Sequence, residues 1–117
     1  MKLAIALLCV LLGSSFAQAA HHNDMTWTWA QGNGGVATGF NVKWSAATGG
    51  PYTTIQALPV TTLTFSDTLS TRLTEGTHNF YVITATGQGG ESVPSNEINL
   101  LTPFSVPTKP TLSGTAF

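Results

Sequence analysis

From Ala20 onward no stretch carries apolar residues at i, i+3, i+4 and i+7, whereas apolar residues at every second position recur between clusters of Gly, Pro and Asn. A period of two, rich in Thr, Val, Ile and aromatics, is the pattern of half-buried β-strands. Met25, Trp27 and Trp29 alternate with Thr26 and Thr28, which predicts a first strand with two indoles and a thioether on one face and hydroxyls on the other. It should end at Gln31-Gly32-Asn33-Gly34-Gly35. Phe40, Val42 and Trp44 alternate with Asn41 and Lys43 in a second strand, stopped by Thr48-Gly49-Gly50-Pro51, a strong turn signal. All three tryptophans are thus expected to point inward.

Tyr52 to Ile55 reads as a short polar edge strand, with Pro59 marking its end because proline removes a ladder donor. Leu63 and Phe65 form another alternating piece. Leu69, Thr71 and Leu73 either continue it across Asp67 as one kinked strand or form a second short one. Phe80 to Thr86 is strongly β in composition, and Gly87-Gln88-Gly89-Gly90 is a hairpin loop leading to Ser95 to Leu101. Six to seven short antiparallel strands at this spacing predict an all-β, immunoglobulin-like β-sandwich.

The amino-terminal residues follow a different pattern. Lys2 precedes an unbroken apolar run from Leu3 to Leu12, and Ala17-Gln18-Ala19 is a small-x-small site, the order of parts in a secretory signal peptide. A run of ten apolar residues is half of the roughly 20 needed to cross a bilayer, so no membrane insertion is expected. Residues 1–19 are therefore read as a signal peptide and the protein as secreted, to a periplasm or to the exterior. Cys9, the single cysteine, lies inside the apolar run, so lipid anchoring is not expected, and the mature chain has no disulfide to lean on.

Of the 117 residues only 8% are charged. Without Lys2, Lys43, Arg72 and Lys109 stand against Asp24, Asp67, Glu75, Glu91 and Glu97, so three cations against five carboxylates leave a net charge of −2. That field steers neither a phosphate backbone nor an anionic membrane, and a nucleic-acid partner is excluded.

Together these residues resemble a fibronectin type III domain, in particular the lone, signal-bearing kind found in bacterial and phage proteins. Trp29 resembles that family's core tryptophan on the second strand, and Gly39-Phe40-Asn41-Val42-Lys43-Trp44 its third strand. Leu73-Thr74-Glu75-Gly76-Thr77 is similar to the Leu-x-Pro-Gly-Thr approach to the sixth strand, and Glu91-Ser92-Val93-Pro94-Ser95-Asn96-Glu97-Ile98 to the final hairpin and last strand. The resemblance implies a fibronectin type III-like sandwich over residues 20–102, acting as a non-enzymatic binding, adhesion or scaffold module. The chain departs from the family's pattern at three places. Glu75 replaces the usual proline. Asn79 stands where the corner tyrosine would, so its hydroxyl-to-backbone bond is either absent or replaced by an amide. Only Ala20 to Asp24 precede the tryptophan strand, too few for the family's first strand.

Residues 103–117 form a Pro-rich tail whose Val106-Pro107-Thr108-Lys109-Pro110-Thr111-Leu112 is similar to the approach and first strand of a second such domain. An uncovered sheet edge beside Trp27 and Trp29 is a hazard that proteins generally manage. The tail is thus read in three ways. It is disordered, it folds back on its own domain, or it docks on a neighbour by strand addition, which makes a homo-oligomer or fibre because a head-to-tail contact need not close.

Chemistry is sparse. A hydrolase needs a nucleophile, a base and an orienting group together, and the histidines are His21, His22 and His78, with His78 read as a solvated strand-end residue. No catalytic residue and no cofactor is assigned. If cleavage follows Ala19, the mature start Ala20-His21-His22 offers an amine, two amides and an imidazole, a square-planar set for copper(II) or nickel(II). If it follows Ala20, a leading His21 resembles the histidine brace of copper-dependent polysaccharide oxidases. His21 and His22 are the metal candidates. As a binding module the candidate surfaces are the loops 31–38 and 86–93, with Gln31, Asn33, Gln88 and Glu91 as contact residues and a protein or surface glycan as partner. Tyr52 and Phe80 are the aromatics expected to remain outside, with Phe80 and Val82 forming a small apolar patch.

Overall fold

A computed structural model describes residues 20–117; the expected signal peptide at 1–19, with Cys9, lies outside the described residues. Among the described residues seven strands form: β1 (Asn23–Thr26), β2 (Ala37–Ser45), β3 (Thr53–Pro59), β4 (Thr64–Asp67), β5 (His78–Gly87), β6 (Gly90–Glu91) and β7 (Ile98–Leu101). β1 and β4 make a two-stranded sheet, and β3, β2 and β5 run side by side in a five-stranded one, with β6 and β7 both on the far edge of β5. Every pairing is antiparallel. Among the described residues there is no helix long and apolar enough to cross a membrane.

The core lies between the sheets and follows the predicted alternation. Met25 from β1, Phe40 and Val42 from β2 and Tyr81 from β5 are buried, with Trp27, Trp44, Phe65, Ile83 and Ile98 half-buried around them. Each such side chain taken from water contributes about 1.5–3 kcal/mol, which is how a chain with no disulfide holds two small sheets together.

The first strand corrects the expectation for Trp29. Ladder pairing of β1 with β4 ends at Thr26↔Thr64, and one further bond runs from the Trp27 N–H to the Leu63 carbonyl at 3.0 Å. Beyond it the chain turns into the glycine-rich loop, and Trp29, 39% exposed, leans edge-on against Phe40 with ring centroids 5.8 Å apart. Trp27 takes the inner place instead, edge-on to Phe40 at 5.7 Å. Two of the three tryptophans therefore point inward.

After Asp67 the chain neither kinks nor starts another strand. The Asp67 carboxylate accepts the Leu69 N–H at 3.2 Å and the Leu69 carbonyl accepts the N–H of Arg72 and of Leu73, closing a turn that drops Leu73 into the core. The turn also swings Arg72 back onto Asp67, with Nε and Nη2 donating to the two carboxylate oxygens at 2.9 and 2.8 Å. Tyr81 Oη donates to the same carboxylate at 2.6 Å and accepts from Asn23 Nδ2 at 3.0 Å. Asp67 is only 1% exposed, and these bonds replace the water it gives up. Burial by itself would raise its pKa, but the bonds from Arg72 and Tyr81 outweigh it and hold the carboxyl below its usual range.

Asn79 settles the corner. Its Nδ2 donates to the Arg72 carbonyl at 2.8 Å and its Oδ1 accepts the Trp44 indole N–H at 2.7 Å, so an amide does the work of the missing tyrosine hydroxyl. The last strand is stitched on unusually. At Val93-Pro94, where Pro has no N–H, the hydroxyls of Ser92 and Ser95 accept the N–H groups of Ala85 and Ile83, each at 2.9 Å. The Ser92 and Ser95 amides donate back to the same two residues' carbonyls at 2.8 Å. The expected Phe80–Val82 patch does not form. Val82 is 3% exposed, opposite its cross-strand partner Lys43, and Phe80 is half-buried and stacked on His78 at 6.3 Å. Tyr52 is likewise half-buried, its hydroxyl bonded to Glu97.

Candidate functional site

Because β2 and β5 are direct neighbours, the loops at their ends meet. The register Ala37↔Gly87 sets the loop before β2 against the hairpin after β5. Between them runs a groove of about 860 Å³ whose walls include Trp29, Gly34, Thr38, Thr86, Gln88 and Ser92. Gln31 organises the first wall. Its Nε2 reaches the carbonyls of Gly32, Gly34 and Gly35 at 3.3, 3.3 and 2.9 Å while its Oε1 accepts the Ala37 N–H at 3.4 Å. One side-chain amide thus holds a loop that has few side chains of its own. The second wall turns at Gly90, whose φ of 111° is accessible to glycine at little steric cost.

The chemistry of this groove is that of a neutral contact surface. Among the described residues Glu91 is the one charged residue lining it, and Lys43 Nζ meets its carboxylate at 2.7 Å while Thr84 Oγ1 donates to the same oxygen at 2.7 Å. The bond from Lys43 first, then that from Thr84, holds the Glu91 carboxyl below its usual range. What remains for a ligand is the open part of an indole ring, hydroxyls, the Gln88 amide and peptide groups of glycines. Added Cβ atoms at Gly34, Gly35 and Gly89 would find nothing within 4 Å among the described residues, none of which packs over this backbone.

No family model matches the sequence, and no curated protein matches it. Solved structures do. An Fn3-like protein from Clostridium thermocellum shares 33% identity over 74% of this chain and 81% of its own length, with a TM-score of 0.56. The chain belongs to the fibronectin type III family. The sixth fibronectin type III domain of human fibronectin type III domain containing protein 3 is 19% identical over 79% of this chain and 82% of its own, with a TM-score of 0.60, which is a likeness of fold.

Within this fibronectin type III domain the predicted contact residues divide. Gln31, Gln88 and Glu91 all line the groove, whereas Asn33 stands at the exposed loop tip outside it. Trp29 was misplaced by its periodicity, and it, rather than the expected Tyr52 or Phe80, supplies the exposed aromatic at the groove. The histidines lie apart from the groove. His78 begins β5 and bonds Asn99 at 2.9 Å, nine residues from Gly87, or about 30 Å along an extended strand. His22 Nδ1 sits 3.1 Å from Asp24, and His21 Nε2 lies 3.8 Å from Glu75. No group of three or more His, Cys, Asp or Glu side chains is assembled among the described residues.

Proposed function

We propose that this fibronectin type III domain is a secreted, non-enzymatic binding module that holds a neutral glycan surface in the groove between the 28–36 loop and the 87–90 hairpin. The observation that carries the reading is Trp29, 39% exposed and braced edge-on by Phe40 at one wall of that groove. An indole that stays partly open while its edge is fixed presents a flat apolar face at little entropic cost, and a sugar ring offers matching C–H groups and hydroxyls. The rim of Thr38, Thr86 and Gln88 supports hydrogen bonding to those hydroxyls. The pairing of Glu91 with Lys43 favours an uncharged ligand, since neither side chain is left to demand a counter-charge. The signal-like order of Lys2, the apolar run and Ala17-Gln18-Ala19 supports secretion.

The test uses tryptophan emission. Neutral hexose and N-acetylhexosamine oligomers are titrated into residues 20–117, and the same titration is repeated on Trp29→Ala. A saturable emission change with at least one oligomer, reduced tenfold or more in affinity by Trp29→Ala, is the expected result. An emission change that survives Trp29→Ala unaltered, or none with any oligomer, overturns the reading.

A further inference from the structure

The open edge of the small sheet is a separate feature, and its reading does not depend on the groove. β1 pairs with β4 and with nothing else among the described residues. Antiparallel residues alternate between turning their backbone groups toward one neighbour and toward the other. The Trp27 N–H donates to Leu63, so Trp27, Met25 and Asn23 face β4, while Asp24, Thr26 and Thr28 turn their peptide groups to the open edge. Beside that edge is a second hollow of about 300 Å³ between Met25 and Trp27 on one side and Tyr81, Ser95 and Ile98 on the other. The buried indole N–H of Trp27, part of its wall, has no acceptor among the described residues. A bare edge, a hollow walled in part by Met25, Trp27 and Ile98, and an orphaned donor all call for one more strand.

The chain carries a segment suited to it. Val106, Leu112 and Phe117 are 89%, 96% and 117% exposed, and no strand forms beyond Leu101. Prolines stand at 103, 107 and 110, so 111–117, Thr-Leu-Ser-Gly-Thr-Ala-Phe, is the stretch that keeps every N–H. At period two, Leu112, Gly114 and Ala116 share a face, one large side chain followed by two small ones. The tail's Lys109 is cationic, whereas residues 20–105 hold Lys43 and Arg72 against five carboxylates, a net −3.

Direction decides whose tail it is. The tail departs beside Gly76, whose N–H donates to the Thr102 carbonyl at 2.8 Å, and Ser105 bonds Glu75. His21, just ahead of β1, also lies by Glu75, so β1 starts where the tail leaves. A chain's own tail laid directly along its own β1 runs parallel, the less stable pairing, whereas one from another molecule is free to enter antiparallel. We infer that the open edge of β1 receives residues 111–117 of a second copy as an added antiparallel strand, with Leu112 in the hollow beside Met25 and Trp27. Because donor and acceptor surfaces differ, the contact is head-to-tail and propagates into open chains.

Two variants isolate the two halves of the contact. Thr26→Pro removes an edge-facing N–H without touching the β1–β4 ladder. Leu112→Asp spoils the donor in a fully exposed segment. Solution mass by light scattering should rise twofold or more with concentration for residues 20–117, and each variant alone should stay monomeric with native tryptophan emission. An equimolar mixture, in which one variant has only a donor and the other only an acceptor, should stop at a dimer. Amide exchange on the unmutated chain is the second readout, independent of whether Thr26→Pro folds. Protection at Asp24, Thr26 and Thr28 should appear only at the concentrations where mass rises. A wild-type chain that stays monomeric at every concentration overturns the inference. So does protection of those amides independent of concentration, which would mean the tail folds back on its own domain. Assembly unaffected by Leu112→Asp overturns it as well.

Discussion

Replacing Asn79 by alanine should be among the costliest single changes in this protein. Asn79 is fully buried and its amide bonds both the Arg72 carbonyl at 2.8 Å and the Trp44 indole N–H at 2.7 Å. Alanine strands both partners. Leaving a buried donor or acceptor unsatisfied costs about 1–3 kcal/mol, and Trp44 is half-buried, so water recovers part of the loss on that side. The expected destabilisation is about 3 kcal/mol for the pair, a large share of a total that lies at about 5–15 kcal/mol for ordinary domains. At 4–8 °C per kcal/mol for a domain of this size, Tm should drop by roughly 12–24 °C. Urea unfolding followed by tryptophan emission measures it, with exposed Asn33→Ala as the control. A cycle with Trp44→Phe should show coupling of about 1 kcal/mol. A cost no greater than that of Asn33→Ala, or no coupling to Trp44, would refute the view that this amide pins the corner.

The buried network around Asp67 sets the pH limits. Because Asp67 is held below its usual range in the folded chain, its contribution is complete above the unfolded carboxyl value of about 4 and is lost as pH falls through the folded value. Asp67→Asn should cost about 3 kcal/mol at pH 7, and its deficit relative to the unmutated chain should shrink below pH 4 in urea titrations. Tyr81 behaves in the opposite sense. Burial first, and then the bond it donates to Asp67, push its phenol well up. Its contribution is therefore complete below the unfolded value of about 10 and is lost as pH rises through the folded one, and Tyr81→Phe should flatten the alkaline limb of a stability-pH curve. Gly76 has a φ of 77°, and a Cβ there would strike the Phe104 ring. Phe104 is exposed and can swing aside, so Gly76→Ala should cost about 1–2 kcal/mol from the left-handed backbone alone, read by thermal melting.

The strands were legible because period-two alternation is a local signal that burial on one face enforces. Phe40, Val42 and Tyr81 are inward for that reason. Trp29 was misread because Met25, Trp27 and Trp29 keep the period one step beyond the point where β4 ceases to offer a partner, and ladder length is a property of the pair. Asp67, Arg72, Tyr81 and Asn23 meet only through a turn and a cross-sheet approach, so no spacing announced the network, although Asn79 could be singled out as a departure from the family's corner. At the candidate site, Gln31, Gln88 and Glu91 were marked by their glycine-rich loops. What brought them to one groove was the β2–β5 register, which also left Asn33 outside.

In the proposed function this fibronectin type III domain meets its ligand in the groove rather than on its sheets. Amide chemical shifts of residues 20–117, recorded while the best-binding neutral oligosaccharide is added, test it most directly. Shifts should be confined to Trp29–Thr38 and Ala85–Ser92, with the indole N–H of Trp29 among the largest. Shifts concentrated on β3 or along β1, with those two segments unmoved, would contradict it.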